Sequence, residues 1–140
     1  MVDIRKALLV VLTGLLVVGC QTAPTRKVDS PPLVKAAGVS EVSPAQALPA
    51  IEAAYSQFID VRTTEEHAEA HPFRSRNIPL DTLAQNLDII EKSEPVYIIC
   101  RTDNRSRQAA EILVRAGFEQ AIVVTGGIEA WTAGGLPMGK

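Results

Sequence analysis

This chain has few cysteines, few histidines and a small net charge, and each of these features argues against a class of protein. The 140 residues include two cysteines, Cys20 and Cys100, which allow one disulfide at most. The formal net charge is −2 and no basic tract is present, so binding to nucleic acid is not indicated. The two histidines, His67 and His71, lack the cysteine partner or second ligand pair that would predict a zinc site.

The composition that is present favours a folded domain. Hydrophobic residues make up 46% of the sequence and charged residues 21%, a balance typical of a packed core rather than of disorder. The length suits one domain, and the sequence contains no internal repeat.

The N-terminal segment has the pattern of a lipoprotein signal. Arg5 and Lys6 precede an apolar run over residues 7–19, which is shorter than the roughly 20 residues that a membrane-spanning helix needs. The run ends in Val-Val-Gly-Cys, which resembles the bacterial lipobox, where the cysteine is acylated and becomes the new N-terminus. We therefore expect residues 1–19 to be a signal peptide and Cys20 to be the lipidation site. An uncleaved anchor, or a plain secretory signal with an incidental cysteine, is the alternative.

A lipid anchor on Cys20 would decide where the protein lies and which thiol remains. The chain is then exported and held on a bacterial membrane facing the periplasm. We expect the outer membrane, because Gln21 stands where an Asp can retain lipoproteins at the inner membrane. Residues 20–38, with Pro among polar side chains, are predicted to be a flexible tether. Cys100 is then a lone thiol in an oxidising compartment, either a buried structural residue or a reactive site.

Strand and helix signals alternate through residues 39–140, which we take as the folded domain. Predicted strands cover residues 39–42, 57–61, 96–99 and 121–124. The first predicted helix covers residues 44–54, with a kink or early break at Pro49, and a short second helix is capped by Thr63 or Thr64. A third runs through Leu83, Leu87 and Ile90 and ends near Lys92. A fourth stops at Gly117, and a fifth includes Trp131. The alternation predicts an α/β fold with a mainly parallel central sheet and helices on both faces.

Cys100 stands where such a fold has its binding site. It follows the strand over residues 96–99, and in open α/β sheets ligands bind beyond the carboxyl ends of the strands. Backbone N–H groups at the start of the next helix can form a cradle for an anion, and Arg101 and Arg105 favour thiolate over thiol. The alternative is a buried cysteine that packs like a small apolar side chain.

Four segments in register resemble the rhodanese family. The loop over residues 100–106 reads Cys-Arg-Thr-Asp-Asn-Arg-Ser and resembles the family's active-site loop, C-x-x-G-x-R-S. Residues 59–66 resemble its D-V-R-x-x-x-E element, and His71 with residues 77–79 resembles its H…N-I-P segment. Residues 125–137 resemble its G-G-x-x-x-W…G-x-P ending. The resemblance spans about residues 42–138 and implies a rhodanese-like fold and sulfurtransferase activity.

The resemblance implies roles for the matched residues. Cys100 would be the nucleophile, carrying sulfur as a persulfide from a donor such as thiosulfate to cyanide or a thiol, without metal or organic cofactor. Asp60 and Arg62 would be framework residues, with an ion pair between Asp60 and a loop arginine. His71 and Trp131 are expected to be structural. The residues expected to bind substrate are Arg101, Thr102, Asp103, Asn104, Arg105 and Ser106.

Loop length and two departures qualify the resemblance. Residues 101–104 separate Cys100 from Arg105, one residue fewer than in phosphatases of similar fold, which favours sulfur over phosphate as the cargo. Asp103 replaces the usual Gly; Asp tolerates left-handed backbone geometry, but its charge opposes an anionic donor. Arg74 and Arg76 lie in a stretch that differs from the family, and they either add positive potential near the site or face solvent.

Three functions therefore follow from the sequence, in order of preference. The first is a sulfurtransferase enzyme that works by a ping-pong mechanism. The second is a membrane-tethered persulfide carrier or a non-catalytic rhodanese-like binding module, which the charge of Asp103 keeps open. The third is a phosphatase, which the loop length disfavours. No protein partner is identified by any motif.

Overall fold

Five parallel strands form the central sheet of the computed structural model, which describes residues 38–53 and 56–140. The predicted lipidation site Cys20 and most of the predicted tether lie outside these residues. The strand order is β1-β6-β5-β2-β4, and β3 and β7 form a separate antiparallel pair. The elements are β1 (Gly38–Val42), α1 (Pro44–Glu52), β2 (Gln57–Asp60), α2 (Thr64–Glu69), β3 (His71–Pro72), β4 (Arg76–Asn77), α3 (Leu80–Leu83), a 3₁₀ turn (Leu87–Ile89), β5 (Val96–Ile99), α4 (Asn104–Arg115), β6 (Gln120–Val124), α5 (Gly127–Ala133) and β7 (Met138–Gly139).

The sheet separates two hydrophobic cores because successive strand residues point to opposite faces. On one face, residues such as Ile59, Ile98 and Val123 pack in a cluster with side chains of α3 and α4. On the other face, Phe58 and its neighbours pack in a second cluster with side chains of α1 and α5. The predicted parallel sheet with helices on both faces is therefore confirmed.

Helix α1 differs from its prediction at the proline. It begins after Ser43, whose capping box with Gln46 is formed, and it runs through Pro49 without a break to Glu52. Proline removes the N–H that would bond to the carbonyl of Ala45, but both residues are exposed, so water can satisfy that carbonyl. Of the kink or early break expected at Pro49, the break is therefore absent, and the helix ends at Glu52, near its predicted end at about residue 54.

The single helix predicted through residues 83–92 is also wrong. Helix α3 ends at Leu83, and a separate 3₁₀ turn covers Leu87–Ile89. Between them Asn86 leaves the helical region, and its side chain donates to the carbonyl of Thr82 at 2.8 Å. The apolar spacing is still used, because Leu83 and Ile90 are both buried in the core beside α4.

The parallel arrangement gives the sheet two chemically different ends. We call the end where the parallel strands begin the amino edge and the end where they finish the carboxyl edge. Cys100 follows β5 and Arg62 follows β2 at the carboxyl edge, whereas Gly38 begins β1 at the amino edge. Within the described residues, no helix is long and apolar enough to cross a membrane.

Candidate active site

Cys100 lies at the base of the loop that joins β5 to α4. Its side chain is buried, with 1% of the residue exposed, and its sulfur lies 3.4 Å from the hydroxyl oxygen of Ser106. The Ser106 hydroxyl also donates to the carbonyl of Asp103 at 2.9 Å. A hydroxyl has one proton, so in this arrangement the thiol donates to Ser106. When the thiol loses its proton, the same hydroxyl can turn and donate to the sulfur.

The carbonyl groups of this loop face the start of α5. Ile128 N–H donates to the carbonyl of Cys100 at 2.8 Å, and Glu129 N–H donates to that of Arg101 at 3.3 Å. Gly127 leaves no room for a side chain, because a Cβ there would lie within 2.5 Å of the carbonyl oxygens of Cys100, Arg101 and Thr102. Gly127 also has a φ of +58°, which favours glycine.

This packing turns the N–H groups at the start of the loop away from α5. In a trans peptide the N–H points opposite to the C=O, and the described residues contain no cis peptide. Since the first three carbonyls of the loop face α5, the N–H groups of the residues after them face away from it. Within the described part of the chain, the backbone N–H groups of residues 101–106 make no hydrogen bond. The loop that begins at Cys100 therefore carries a run of backbone donors without a partner in the described chain, and such donors can bind an anion.

The loop arginines are each paired with a carboxylate. Arg105 donates two hydrogen bonds to Glu66, at 2.6 and 2.9 Å, and this contact raises its pKa. Arg101 pairs with the exposed Glu129, and Arg107 pairs with Glu41. The arginines are therefore paired rather than free, and Arg105 ties the loop to α2 while its charge also interacts with Cys100.

Glu66 serves two purposes at once. Its carboxylate accepts from the backbone N–H of Thr63, which caps α2, and from Arg105. The hydrogen bonds from Arg105 are the main reason that the pKa of Glu66 falls from 4.5 to about 2.

Asp60 pairs with Arg62 and contacts His67. The expected ion pair between Asp60 and an arginine of the Cys100 loop is therefore corrected. Asp60 is fully buried and accepts hydrogen bonds from the guanidinium of Arg62, the shortest at 2.6 Å, and contacts His67 Nδ1 at 3.1 Å. Asn77 donates from its side-chain amide to the carbonyls of Asp60 and Arg62, both at 3.0 Å. These contacts hold β2, β4 and α2 together beside the site.

His71 and Trp131 have structural contacts. The ring of His71 stacks on that of His67 with centroids 4.0 Å apart, and its Nδ1 contacts the carbonyl of His67. Trp131 is fully buried, and its indole N–H donates to the carbonyl of Pro137.

Asp103 precedes α4 and differs from its expected geometry. Its φ is −135°, so the position does not need the left-handed conformation that the family's glycine suggested. Its carboxylate accepts a hydrogen bond of 2.7 Å from the N–H of Gly126. The charge is thus partly satisfied by the backbone that leads into α5, and the side chain fastens the loop to that turn. Thr102 and Asn104 are exposed on the loop.

A groove of about 960 Å³ lies beside the loop and was not predicted from the sequence. It runs between α2, α5 and β7, and more of its lining is apolar than polar. Glu66 and Ile128, which hold the active-site loop, both line it. Its residues are far apart in the chain, so no local motif could have shown it.

The remaining predicted features fall elsewhere or stay untested. The side chains of Arg74 and Arg76 line a pocket with Ser56 and Gln57 at the start of β2, and no residue of the Cys100 loop lines that pocket. In the described residues, no group of three or more His, Cys, Asp or Glu side chains is placed to hold a metal ion. Glu66 and His67, which contact Arg105 and Asp60, were not assigned a role from the sequence, although Glu66 ends the D-V-R-x-x-x-E element.

Comparisons with known proteins agree with this geometry. The model of the rhodanese-like domain family matches residues 43–134. The thiosulfate sulfurtransferase GlpE of Actinobacillus pleuropneumoniae serotype 3 is 33% identical over 99 residues, which are 71% of this chain and 92% of that protein. That relative is therefore little longer than the matched domain, and residues 38–140 are expected to fold on their own.

Solved structures show the same architecture. A rhodanese-related protein from Thermoplasma volcanium is 29% identical with a TM-score of 0.65, covering 71% of this chain and 97% of that one. A rhodanese-like domain protein from Staphylococcus aureus is 33% identical with a TM-score of 0.59, covering 66% of this chain and 90% of that one.

Substitution of Gly127 should separate steric conflict from backbone strain. Gly127→Ala forces its methyl group into three loop carbonyls, so we expect a loss of unfolding free energy of at least about 2 kcal/mol and faster alkylation of Cys100 by iodoacetamide. Gly135→Ala is the matched control, because its φ of +66° is similar but no atom lies within 4 Å. It should cost about 1 kcal/mol and leave alkylation unchanged. Equal effects in urea unfolding would contradict the packing argument.

The Glu66–Arg105 pair should make stability depend on acidity. Because its folded pKa of about 2 lies below 4.5, the stabilisation is complete above about pH 4.5 and is lost as the pH falls toward 2. Glu66→Gln should cost about 1–3 kcal/mol in urea unfolding at neutral pH and much less near about pH 2. Glu111→Gln, which removes an exposed pair with Arg115, is the control and should cost under about 0.5 kcal/mol. A Glu66→Gln cost that does not shrink with acid would refute the assignment.

Proposed function

The chain belongs to the rhodanese-like family, and from that premise we propose that it is a sulfurtransferase in which Cys100 carries a sulfane sulfur. One observation supports this most directly. The buried Cys100 begins a loop in which, within the described residues, the backbone N–H groups of residues 101–106 make no hydrogen bond and the carbonyls of residues 100–102 face Gly127. Such donors stabilise a negative charge on Cys100, whether thiolate or persulfide.

The proposed reaction has two half-steps. The Cys100 thiolate attacks the outer sulfur of a donor such as thiosulfate, the S–S bond of the donor breaks with its electron pair, and sulfite leaves. Cys100 then holds Cys–S–S⁻, whose terminal sulfur carries the charge that the loop N–H groups stabilise. A nucleophilic acceptor attacks that outer sulfur, and Cys100 departs as a thiolate. Cyanide gives thiocyanate, and a thiol gives a new persulfide. No metal or organic cofactor takes part.

The charges around the loop favour a tightly held small cargo over a large anion. The arginines of the loop are neutralised by Glu66, Glu129 and Glu41, and Asp103 adds a carboxylate of its own. A donor with two negative charges therefore gains little from net potential and depends on the backbone donors. For this reason we expect weak affinity for thiosulfate, with acceptance of sulfur from a less charged donor as the physiological route.

The groove beside the loop suggests where an acceptor binds. It is large enough for several side chains, its lining is more apolar than polar, and it borders the helix α5 that packs against Cys100. A protein thiol presented on a flexible segment fits these dimensions better than cyanide alone.

The second candidate is a persulfide carrier with little turnover of free thiosulfate. The observation that favours it is the position of Asp103, whose carboxylate lies on the loop itself, fixed to Gly126. In this case Cys100 would still accept a sulfur atom, but it would hand that sulfur to a partner protein rather than turn over thiosulfate with a small acceptor.

The decisive experiment measures sulfur on Cys100. The chain from Gln21 is incubated with thiosulfate, its intact mass is recorded, and cyanide is added while thiocyanate is assayed. We expect the wild type to gain one sulfur atom and to release it as thiocyanate, and Cys100→Ala to do neither. Cys100 is the free cysteine among the described residues, so a chain from Gln21 isolates its chemistry.

Each result has a defined meaning. Absence of sulfur uptake by the wild type, or equal uptake by Cys100→Ala, rejects the sulfurtransferase. Uptake without thiocyanate release supports the carrier. Release of phosphate from an aryl phosphate would support the phosphatase that the loop length disfavours. Ser106→Ala is an informative variant, because it removes the hydroxyl beside the sulfur and should slow the first half-step while leaving Cys100 in place.

We also propose that the protein works on a membrane surface. The signal-like residues 1–19 and the following Cys20 support export and acylation, with the enzyme facing the periplasm from the outer membrane.

Lipidation is tested by metabolic labelling. Cells that express the full chain and are grown with a radiolabelled fatty acid should yield a labelled protein in the membrane fraction. Cys20→Ser should abolish the label, and Cys100→Ser should leave it unchanged. Label that persists in Cys20→Ser would refute the anchor.

A further inference from the structure

Arg74 and Arg76 line a pocket beside the start of β2, and the backbone of Arg76 pairs with Ile59 farther along that strand. The pocket has a volume of about 310 Å³ and lies by Gln57, which begins β2. Gln57 pairs with Val96 in β5, so the strand length separates this level from Cys100 by roughly 13 Å. The remaining lining residues are Ile51, Ser56 and Phe58.

These two arginines differ from the others of the described chain in their charge partners. Each of the other arginines there contacts a carboxylate, namely Arg62, Arg101, Arg105, Arg107 and Arg115. Arg74 donates instead to the carbonyl of Glu52 at 2.7 Å, and Arg76 to the carbonyl of Ile89 at 3.1 Å. A guanidinium has five N–H donors, so most donors of both side chains stay open to a ligand.

The other polar groups around the pocket already have partners. The side-chain amide of Gln57 bonds to the backbone of Glu91 in both directions, at 2.7 and 2.8 Å. The Ser56 hydroxyl donates to the carbonyl of Ala50, and the Glu91 carboxylate accepts from Ser93. No lining residue carries a negative charge, so the pocket has net positive charge.

The backbone at Arg74 is an independent sign of a built site. Among the non-glycine residues that the structure describes, Arg74 alone has a positive φ, at 69°. This left-handed conformation costs about 1–2 kcal/mol. The guanidinium reaches the C-terminal end of α1 at Glu52, where the helix dipole favours a cation. The fold therefore holds this arginine in place despite the cost. Strained backbone conformations of this kind cluster at functional positions.

We propose that the Arg74–Arg76 pocket binds a phosphate group. Guanidinium groups match phosphate oxygens in planar geometry and charge, and the volume fits a small phosphate ester at the lower limit of ligand pockets. The apolar side chains of Ile51 and Phe58 would contact the carbon part of the ester. The phosphate belongs either to an anionic phospholipid headgroup or to a soluble ester, which share this chemistry.

The position of the pocket makes a membrane source physically accessible. Gly38, where the N-terminal chain enters the domain, begins β1 at the same amino edge. A flexible tether that enters the domain at this edge would allow the edge to reach the bilayer. The proposal does not depend on sulfur transfer, because no residue of the Cys100 loop lines the pocket.

The test compares two double variants of the chain from Gln21. Arg74→Gln with Arg76→Gln removes the pocket charges. Lys92→Gln with Arg115→Gln is the matched control, since both residues lie at the amino edge outside the pocket. Inorganic phosphate and glycerol 3-phosphate are titrated by NMR at constant ionic strength. Vesicles of phosphatidylcholine with phosphatidylglycerol are tested by co-sedimentation against phosphatidylcholine alone.

We expect saturable binding by the wild type, at least about tenfold weaker binding by the pocket variant, and a change within about twofold in the control. Thermal unfolding verifies that each variant is folded, and Arg76→Gln alone serves if the double variant is not. Co-sedimentation that glycerol 3-phosphate competes away identifies the headgroup, and binding of soluble phosphate without vesicle binding identifies a free ester. No saturable binding to either probe, an equal loss in the control, or the same shifts with chloride would overturn the proposal. Sulfur uptake by Cys100 should be unchanged in the pocket variant, so the two functions fail separately.

Discussion

The contact between the Cys100 loop and Gly127 is the constraint on which the rest of the site depends. Three successive loop carbonyls converge on the Cα of Gly127, at distances that exclude any side chain. Because each peptide is planar, fixing the carbonyls on one side fixes the N–H groups on the other. The anion cradle is thus a consequence of backbone packing, and it needs no charged side chain to point at the sulfur.

This explains why the charged residues around the site are engaged with one another. Glu66 holds Arg105, and Asp103 holds Gly126, so the second half of the loop is fastened to α2 and to the turn before α5. Arg62 and Asp60 fasten β2 to α2 in the same way. Their charges are largely balanced in pairs, and among them Arg105 still interacts electrostatically with Cys100. In the reaction proposed above, peptide dipoles that are fixed in this way would not have to reorganise when charge moves onto the sulfur.

The sequence carried much of the fold because its signals are local. Continuous apolar runs predicted the buried strands, and Cys100 at the end of one of them had to lie at the carboxyl edge. The helix through residues 83–92 failed because spacing records which side chains are buried, and two short turns bury Leu83 and Ile90 as well as one helix would. The resemblance to the rhodanese family identified the loop, but no local pattern showed that its arginines would be neutralised.

The partners of those arginines are set by tertiary structure. Arg105 meets Glu66 across the gap between α4 and α2, and Arg107 meets Glu41 of β1, so the chain must fold before either pair exists. An arginine that folding leaves without a carboxylate partner is therefore a candidate to bind an anion from solution. Isolated cations on a protein surface are common, but Arg74 and Arg76 converge on one pocket, and one of them does so from a strained backbone. Because no residue of the Cys100 loop lines that pocket, anion binding there, as proposed, would leave the chemistry proposed for Cys100 unobstructed.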